Sequence, residues 1–170
     1  MPLVRDFRKY AFLPLRVDRC GRNIGNRAYW KLYSIENTIR VVVNSVLSKQ
    51  IGHQWWDQAV NPAVVGNAKK RRARYAARPK HASPGPHDIY LLDLFELTEI
   101  LRINSHQFLP IIPETDQWLT TLESMRTSRN LIGHMNFPNI YDRNVIDTTF
   151  KQLPTVLARL KESNVPIAIP

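Results

Sequence analysis

Apolar residues recur at three- and four-residue steps along most of the chain, which predicts helices packed around one core. The clearest stripe lies within a helix predicted over 28–51 and consists of Leu32, Ile35, Ile39, Val42 and Val46. A later helix is predicted from about Thr115, with Trp118, Leu122 and Met125 on one face. The last helix is expected to start at Asp142, to be kinked at Pro154, and to bury Ile146, Phe150, Leu153, Leu157 and Leu160.

Two further helices are predicted in the middle of the chain. One opens at Pro62 and runs to about Arg78, but it has few apolar residues and should be exposed. The other is expected from Asp88 to about Asn104, and apolar residues cover more than half of its circumference. This second helix is therefore predicted to be the central buried one, with Glu96 and Glu99 on its exposed side.

The remaining segments are predicted to be irregular. Residues 1–27 have no clean period and read as a basic N-terminal extension, with Asn26 capping the first helix. Gly52 is expected to end that helix, and the tail 164–170 carries no readable pattern. The expected fold is thus all-α: one bundle of four to five helices over 28–163, preceded by an irregular arm. Trp55 and Trp56 are interpreted as core or interface anchors, or alternatively as base-stacking residues.

Composition excludes several classes of protein. The chain has 170 residues, enough for one domain, and no apolar run approaches the ~20 residues of a membrane span. Basic residues interrupt the N-terminus, so we expect no secretory signal. A single cysteine, Cys20, excludes an internal disulfide and cysteine-based zinc sites, and the five histidines are scattered. We expect a soluble cytoplasmic protein without a metal, a cofactor or a membrane partner.

The charge, formally +10, is concentrated in two segments. Residues 1–31 carry eight Lys and Arg against two acids, and residues 69–80 carry seven without an acid. Such clusters favour a phosphate-rich partner such as RNA, although a solvated basic surface is the alternative. In the second cluster the candidate RNA-backbone contacts are Lys70, Arg71, Arg74 and Arg78.

The segment 124–134, Ser-Met-Arg-Thr-Ser-Arg-Asn-Leu-Ile-Gly-His, holds the most specific arrangement of polar residues. Arg126, Asn130 and His134 are four residues apart and form one row on a continuous helix. Arg129 precedes His134 by five residues, about 140° around the axis. The two therefore meet only if the backbone deviates near Gly133, or if a second copy of the chain supplies one of them.

Glu36 and Arg40 lie one turn apart on the first predicted helix, beside its apolar stripe. One interpretation is a surface ion pair, which contributes little to stability. The other is that this pair faces segment 124–134 and orients its polar side chains.

Arg129-Asn130 followed by His134 resembles the signature of the HEPN superfamily (higher eukaryotes and prokaryotes nucleotide-binding domains). The segment 33–40, with its glutamate followed by arginine, resembles the first core helix of that family. The order of the later helices resembles the HEPN subtype that accompanies Swt-type RNA endoribonucleases. The resemblance covers roughly residues 28–160.

The resemblance implies a metal-independent endoribonuclease of a toxin, defence or RNA-processing system. Arg129 would stabilise the phosphate charge, His134 would transfer protons, and Asn130 would orient the histidine ring. Glu36, Arg40 and Arg126 would support them. A homodimer would bring two histidines together as acid and base, and the products would be a 2′,3′-cyclic phosphate and a 5′-hydroxyl.

Two alternatives stay open. The chain is a non-catalytic adaptor that binds RNA or a protein through its basic segments, or it is a toxin silenced by a cognate antitoxin. Loss of activity with retained binding on changing His134 would separate an enzyme from an adaptor.

Overall fold

The computed structural model describes residues 6–9 and 14–170, and within these ranges the protein is all helical, without a β-strand. This confirms the all-α prediction. The α-helices are α1 (Pro14–Ile24), α2 (Trp30–Gln50), α3 (Trp55–Ala59), α4 (Pro62–Ala76), α5 (Leu94–Ile103), α6 (Ser105–Phe108), α7 (Thr115–Gly133) and α8 (Ile140–Glu162). Short 3₁₀ turns cover Phe7–Lys9 and Asp88–Leu91, and a π-helical segment covers Gly25–Tyr29. None of the described helices combines the length and apolar character needed to cross a membrane.

The core lies where α8 packs against both α2 and α7, with α5 against α2 and α7. The stripes predicted on α2 and α7 are buried, which confirms both. On α8 the prediction is wrong at Leu157, which is 37% exposed, whereas Val156 and Thr149 are buried. The buried stripe of α8 therefore steps through Thr149, Leu153, Val156 and Leu160, and Leu157 falls one residue beyond it.

The part of the N-terminal arm that the structure describes is mostly helical, and not irregular as predicted. Residues 14–50 form one helical run, because the π-helical segment joins α1 directly to α2. Asn26 lies inside that segment and caps nothing, so its predicted role is wrong. The run continues because Ala28 is buried against the core and Trp30 packs edge-on against Phe150 of α8, with ring centroids 4.9 Å apart. Residues 1–5 and 10–13 lie outside the described ranges.

Helix α5 begins later than predicted, after Asp93 rather than Asp88. Asp93 Oδ1 accepts the Glu96 N–H at 3.0 Å, and Glu96 Oε2 accepts the Asp93 N–H at 3.0 Å, which is a capping box. Asp88 opens only a 3₁₀ turn. Glu96 was predicted to be exposed and is instead only 5% exposed, because its carboxylate also pairs with Arg71 of α4. Glu99 is half-buried.

Local hydrogen bonds define the end of α2 and the start of α8. Gly52, with φ +103°, donates to the carbonyls of Leu47 and Ser48, which confirms it as the end of α2. Helix α8 starts after Asn139, whose side chain accepts the Asp142 N–H at 2.9 Å, so Asp142 lies in the first turn instead of starting the helix.

The C-terminal tail is part of the domain. Val165 is buried, and the Ala168 N–H donates to Ser45 Oγ at 2.9 Å. Asn44 Nδ2 donates to the Ala168 carbonyl, also at 2.9 Å. The tail therefore packs along α2, which its sequence did not indicate.

Trp55 and His87 form a small aromatic cluster under the loop that precedes α5. Trp55 is buried and its Nε1 donates to Asn44 Oδ1 at 3.1 Å, which confirms its interpretation as a core anchor. His87 stacks on Trp55 at 5.4 Å and meets Trp56 edge-on at 5.0 Å. His87 Nδ1 accepts the Ile89 N–H at 3.1 Å, a bond that only the neutral ring can accept in this orientation. Burial lowers the pKa of His87.

We predict that His87 makes the folded protein less stable as the pH falls below about 6.5. The unfolded chain protonates His87 near this ordinary value, and the folded chain does so only at lower pH, so stability is lost between the two. In His87→Asn, an amide oxygen can accept the Ile89 N–H without titrating. The melting temperature of this variant should therefore change less between pH 7 and pH 5 than that of the wild type. The control is His53→Asn, at an exposed histidine. An equal reduction there in the change of melting temperature between pH 7 and pH 5 would contradict the prediction.

Candidate functional site

The carboxylate of Glu36 on α2 lies between two guanidinium groups. Arg129 of α7 donates from Nε to Glu36 Oε1 at 2.8 Å, and Arg40 Nη2 donates to Glu36 Oε2 at 3.3 Å. The Glu36 and Arg40 side chains are only 15% and 9% exposed. The surface ion-pair interpretation is therefore wrong, and Glu36 does contact the motif arginine.

Arg40 is anchored on its far side by the segment that leads into α5. Its Nη2 donates to the Leu92 carbonyl at 2.9 Å and its Nε to the Ile89 carbonyl at 3.3 Å. Asn37 Oδ1 accepts a further bond from Nη1 at 3.3 Å. Arg40 thus fixes Glu36, and Glu36 in turn fixes Arg129, so the orientation of the motif arginine depends on α2 and on the residues before α5.

His134 lies apart from this cluster. Helix α7 ends at Gly133, and the His134 N–H still donates to the Asn130 carbonyl at 3.0 Å. The backbone becomes left-handed only at Met135, with φ +58°, which is beyond His134. The deviation therefore comes too late in the chain to turn the histidine toward Arg129. His134 is exposed, and within residues 6–9 and 14–170 no hydrogen bond joins its ring to Arg129 or to Asn130.

Asn130 and Arg126 have partners that differ from the predicted ones. The Asn130 side chain accepts a long bond from Arg129 Nη1 at 3.4 Å, so it contacts the arginine and not the histidine ring. The guanidinium of Arg126 lies over the ring of Phe95 on α5, 4.0 Å from its centroid. Arg126 therefore contributes to the packing of α7 on α5 through a cation–π contact and does not touch the Glu36 cluster.

A groove of about 700 Å³ opens beside Arg129 between α2, α7 and the loop before α5. Glu36, Arg40 and Arg129 line it, together with Gly133 and Met135. Its remaining walls include four tyrosines, which are Tyr29, Tyr33, Tyr75 and Tyr90. The sequence interpretation missed these tyrosines. The available signal was that Tyr29 and Tyr33 are one turn apart and that Tyr75 follows Arg74 directly.

Some of the basic residues in and just after α4 form ion pairs, and others do not. Arg71 pairs with Glu96 and donates to the Leu91 carbonyl at 2.8 Å, and Arg72 pairs with Asp88. The hydrogen bond to Glu96 raises the pKa of Arg71 above its ordinary value. Arg71 therefore has a structural role, which differs from its predicted role as a free RNA contact.

Lys70, Arg74 and Arg78 are exposed, and in the described part of the chain none of them forms an ion pair. They remain available to a polyanion. Among the described residues, no three His, Cys, Asp or Glu side chains are grouped closely enough to hold a metal ion.

Comparison of the chain with protein-family models, with curated proteins and with solved structures gives no match.

We predict that Glu36→Gln lowers the free energy of unfolding by about 3 kcal/mol, because it leaves the buried Arg40 without its charged partner. Urea denaturation measures this change. The control is Glu123→Gln, which breaks the exposed pair of Glu123 with Arg102 and should cost less than about 1 kcal/mol. Equal losses in the two variants would show that the pairing of Glu36 with the buried Arg40 has no particular importance for stability.

Proposed function

We propose that this protein is a metal-independent endoribonuclease of the HEPN type, in which Arg129 and His134 act in a composite site formed by two copies of the chain. The observation that carries the proposal is the orientation of Arg129, in the wall of a groove, by Glu36, which is itself held by the buried Arg40. An arginine that is only solvated at the surface needs no fixed orientation. An arginine that must contact a phosphate in one orientation does need it, and a carboxylate partner can provide it.

The reaction transfers protons at two oxygens. A base takes the proton from the ribose 2′-hydroxyl, the 2′-oxygen bonds to phosphorus, and the 5′-oxygen leaves with a proton from an acid. Histidine suits both transfers near neutral pH, so the His134 side chains of the two copies would serve as base and acid. The Arg129 guanidinium would stabilise the extra negative charge on the phosphoryl oxygens. The products are a 2′,3′-cyclic phosphate and a 5′-hydroxyl.

The need for a second copy is supported by the separation within one chain. Arg129 lines the groove and His134 does not, so one copy presents the two groups to different spaces. Large apolar side chains, namely Met135, Ile140 and Tyr141, are exposed directly after His134. A partner copy that covered them would bury apolar area close to the histidine.

The second candidate function is a non-catalytic RNA-binding adaptor. It is favoured by the same separation of His134 from Arg129, combined with the exposed Arg74 of α4 and the exposed Arg78 just after it. An adaptor would need the groove and the basic helix but would not need the histidine.

We predict that the wild type cleaves structured RNA and tRNA in EDTA, and that His134→Ala and Arg129→Ala each lower the rate about 100-fold or more. Gel analysis of the products, with a test for cyclic phosphate ends, measures this. His53→Ala and Arg102→Ala are the controls, because both residues are exposed and lie away from the groove. A wild type that binds RNA but leaves every substrate intact would favour the adaptor.

We also predict that a mixed dimer of wild type and His134→Ala is inactive, so that an excess of His134→Ala lowers the cleavage rate of a fixed amount of wild type. A mixed dimer would keep only one of the two histidines that serve as base and acid. The measurement is the cleavage rate after the two proteins are unfolded and refolded together, with His53→Ala in place of His134→Ala as the control. An unchanged rate per wild-type chain would show that one copy is sufficient for the reaction.

A further inference from the structure

A second hollow of about 310 Å³ lies beside the groove, against α4. The two spaces share three wall residues, Tyr75, Pro84 and Tyr90, so they adjoin, and we call the two together the passage. At the far end of the passage lie Arg71, Arg74 and Arg78. Arginine therefore lines both ends of the passage, with aromatic rings between them.

The far end retains two cations for a ligand. Arg71 is paired with Glu96, so its charge is already balanced. Arg74 near the end of α4 and Arg78, four residues later and beyond the end of the helix, are exposed and form no ion pair with the described residues. Two arginines at this spacing suit a phosphate group, because each guanidinium can donate two parallel hydrogen bonds.

The wall residues that the two spaces share are two tyrosines and a proline, and none of them is charged. Tyr75 is 46% exposed although it lines both spaces, and Tyr33 on the opposite wall is also exposed. Exposed aromatic rings between basic groups are the arrangement with which proteins bind unpaired nucleic acid, since bases stack on the rings while phosphates contact the cations.

The loop that lines the passage at Pro84 and Gly85 is held by close contacts. A Cβ atom on Gly85 would overlap the ring of Tyr90, so only glycine allows the loop to lie against that ring. Arg72 donates from Nη1 and Nη2 to the Gly85 carbonyl at 3.2 Å and also pairs with Asp88. The passage is thus formed by a fixed loop on one side and by α2 on the other.

We propose that the substrate of this site is unpaired RNA, and that the strand runs from Arg129 past Tyr75 to a phosphate subsite at Arg74 and Arg78. This inference rests on the proposed function. In a duplex each base is stacked inside the helix and presents no face to a protein ring, so a paired strand gains only the charge contacts. A single strand gains both the charge and the stacking contacts.

The test measures binding in the His134→Ala background, which removes the proposed proton transfer and leaves the passage walls intact. Fluorescence anisotropy compares a labelled oligouridine with a blunt RNA duplex of equal length, at several salt concentrations. The single strand should bind about tenfold more tightly than the duplex. Arg74→Ser combined with Arg78→Ser should weaken single-strand binding about tenfold and reduce its salt dependence.

Two matched controls distinguish binding in the passage from general electrostatic attraction of RNA. Lys69→Ser combined with Lys80→Ser removes the same charge from the same basic segment but changes no wall residue, and it should weaken binding much less. Tyr75→Ala should remove most of the preference for the single strand, and Tyr75→Phe, which keeps the ring, should retain it.

The outcomes distinguish this inference from the function on which it rests. Equal binding of single strand and duplex, or equal losses from the arginine and lysine pairs, would overturn the unpaired-RNA passage even if the wild type cleaves RNA. A wild type that cleaves nothing, with single-strand binding that depends on Arg74, Arg78 and Tyr75, would overturn the catalytic proposal and leave the passage supported.

Discussion

The Glu36 carboxylate is the interaction on which the arrangement around the groove depends. It is nearly buried and lies between two guanidinium groups, Arg40 at 3.3 Å and Arg129 at 2.8 Å. A buried charge is tolerated only when it is paired and its hydrogen bonds are satisfied. Arg40 meets this condition through Glu36 and through the carbonyls of Ile89 and Leu92. One ion cluster therefore ties α2 to α7 and to the segment that enters α5, and it sets the position of Arg129.

A second cluster of the same kind forms the other side of the site. Glu96 caps the backbone at Asp93 and pairs with Arg71, so it joins α4 to the start of α5. In both clusters the carboxylate already faces at least one arginine: Glu36 faces Arg40 and Arg129, and Glu96 faces Arg71. Arg74 and Arg78 form no ion pair with the described residues, and both line the second hollow. A surface that could bind phosphate thus results from how the internal charges are paired, and not only from the number of basic residues.

The separation of Arg129 and His134 links the fold to the proposed mechanism. A helix places residues five apart on different sides, and α7 stays helical through Gly133. The left-handed residue that ends the helix is Met135, one position after the histidine. One chain therefore provides an oriented arginine in a groove and an exposed histidine outside it. A reaction that needs both groups at one phosphate calls for a second copy, and a protein that only binds RNA does not.

The sequence by itself determined the all-helical fold, the buried stripes of α2 and α7, and the angular separation of Arg129 from His134. These follow from the period of the helix, which is a local property of the backbone. Tertiary structure decided which charges are internal: Glu96 is buried because Arg71, far away in the chain, meets it, and Asp93 rather than Asp88 caps α5 because Glu96 completes the capping box. The period of a sequence cannot reveal such partners, since an ion pair depends on which helices pack together.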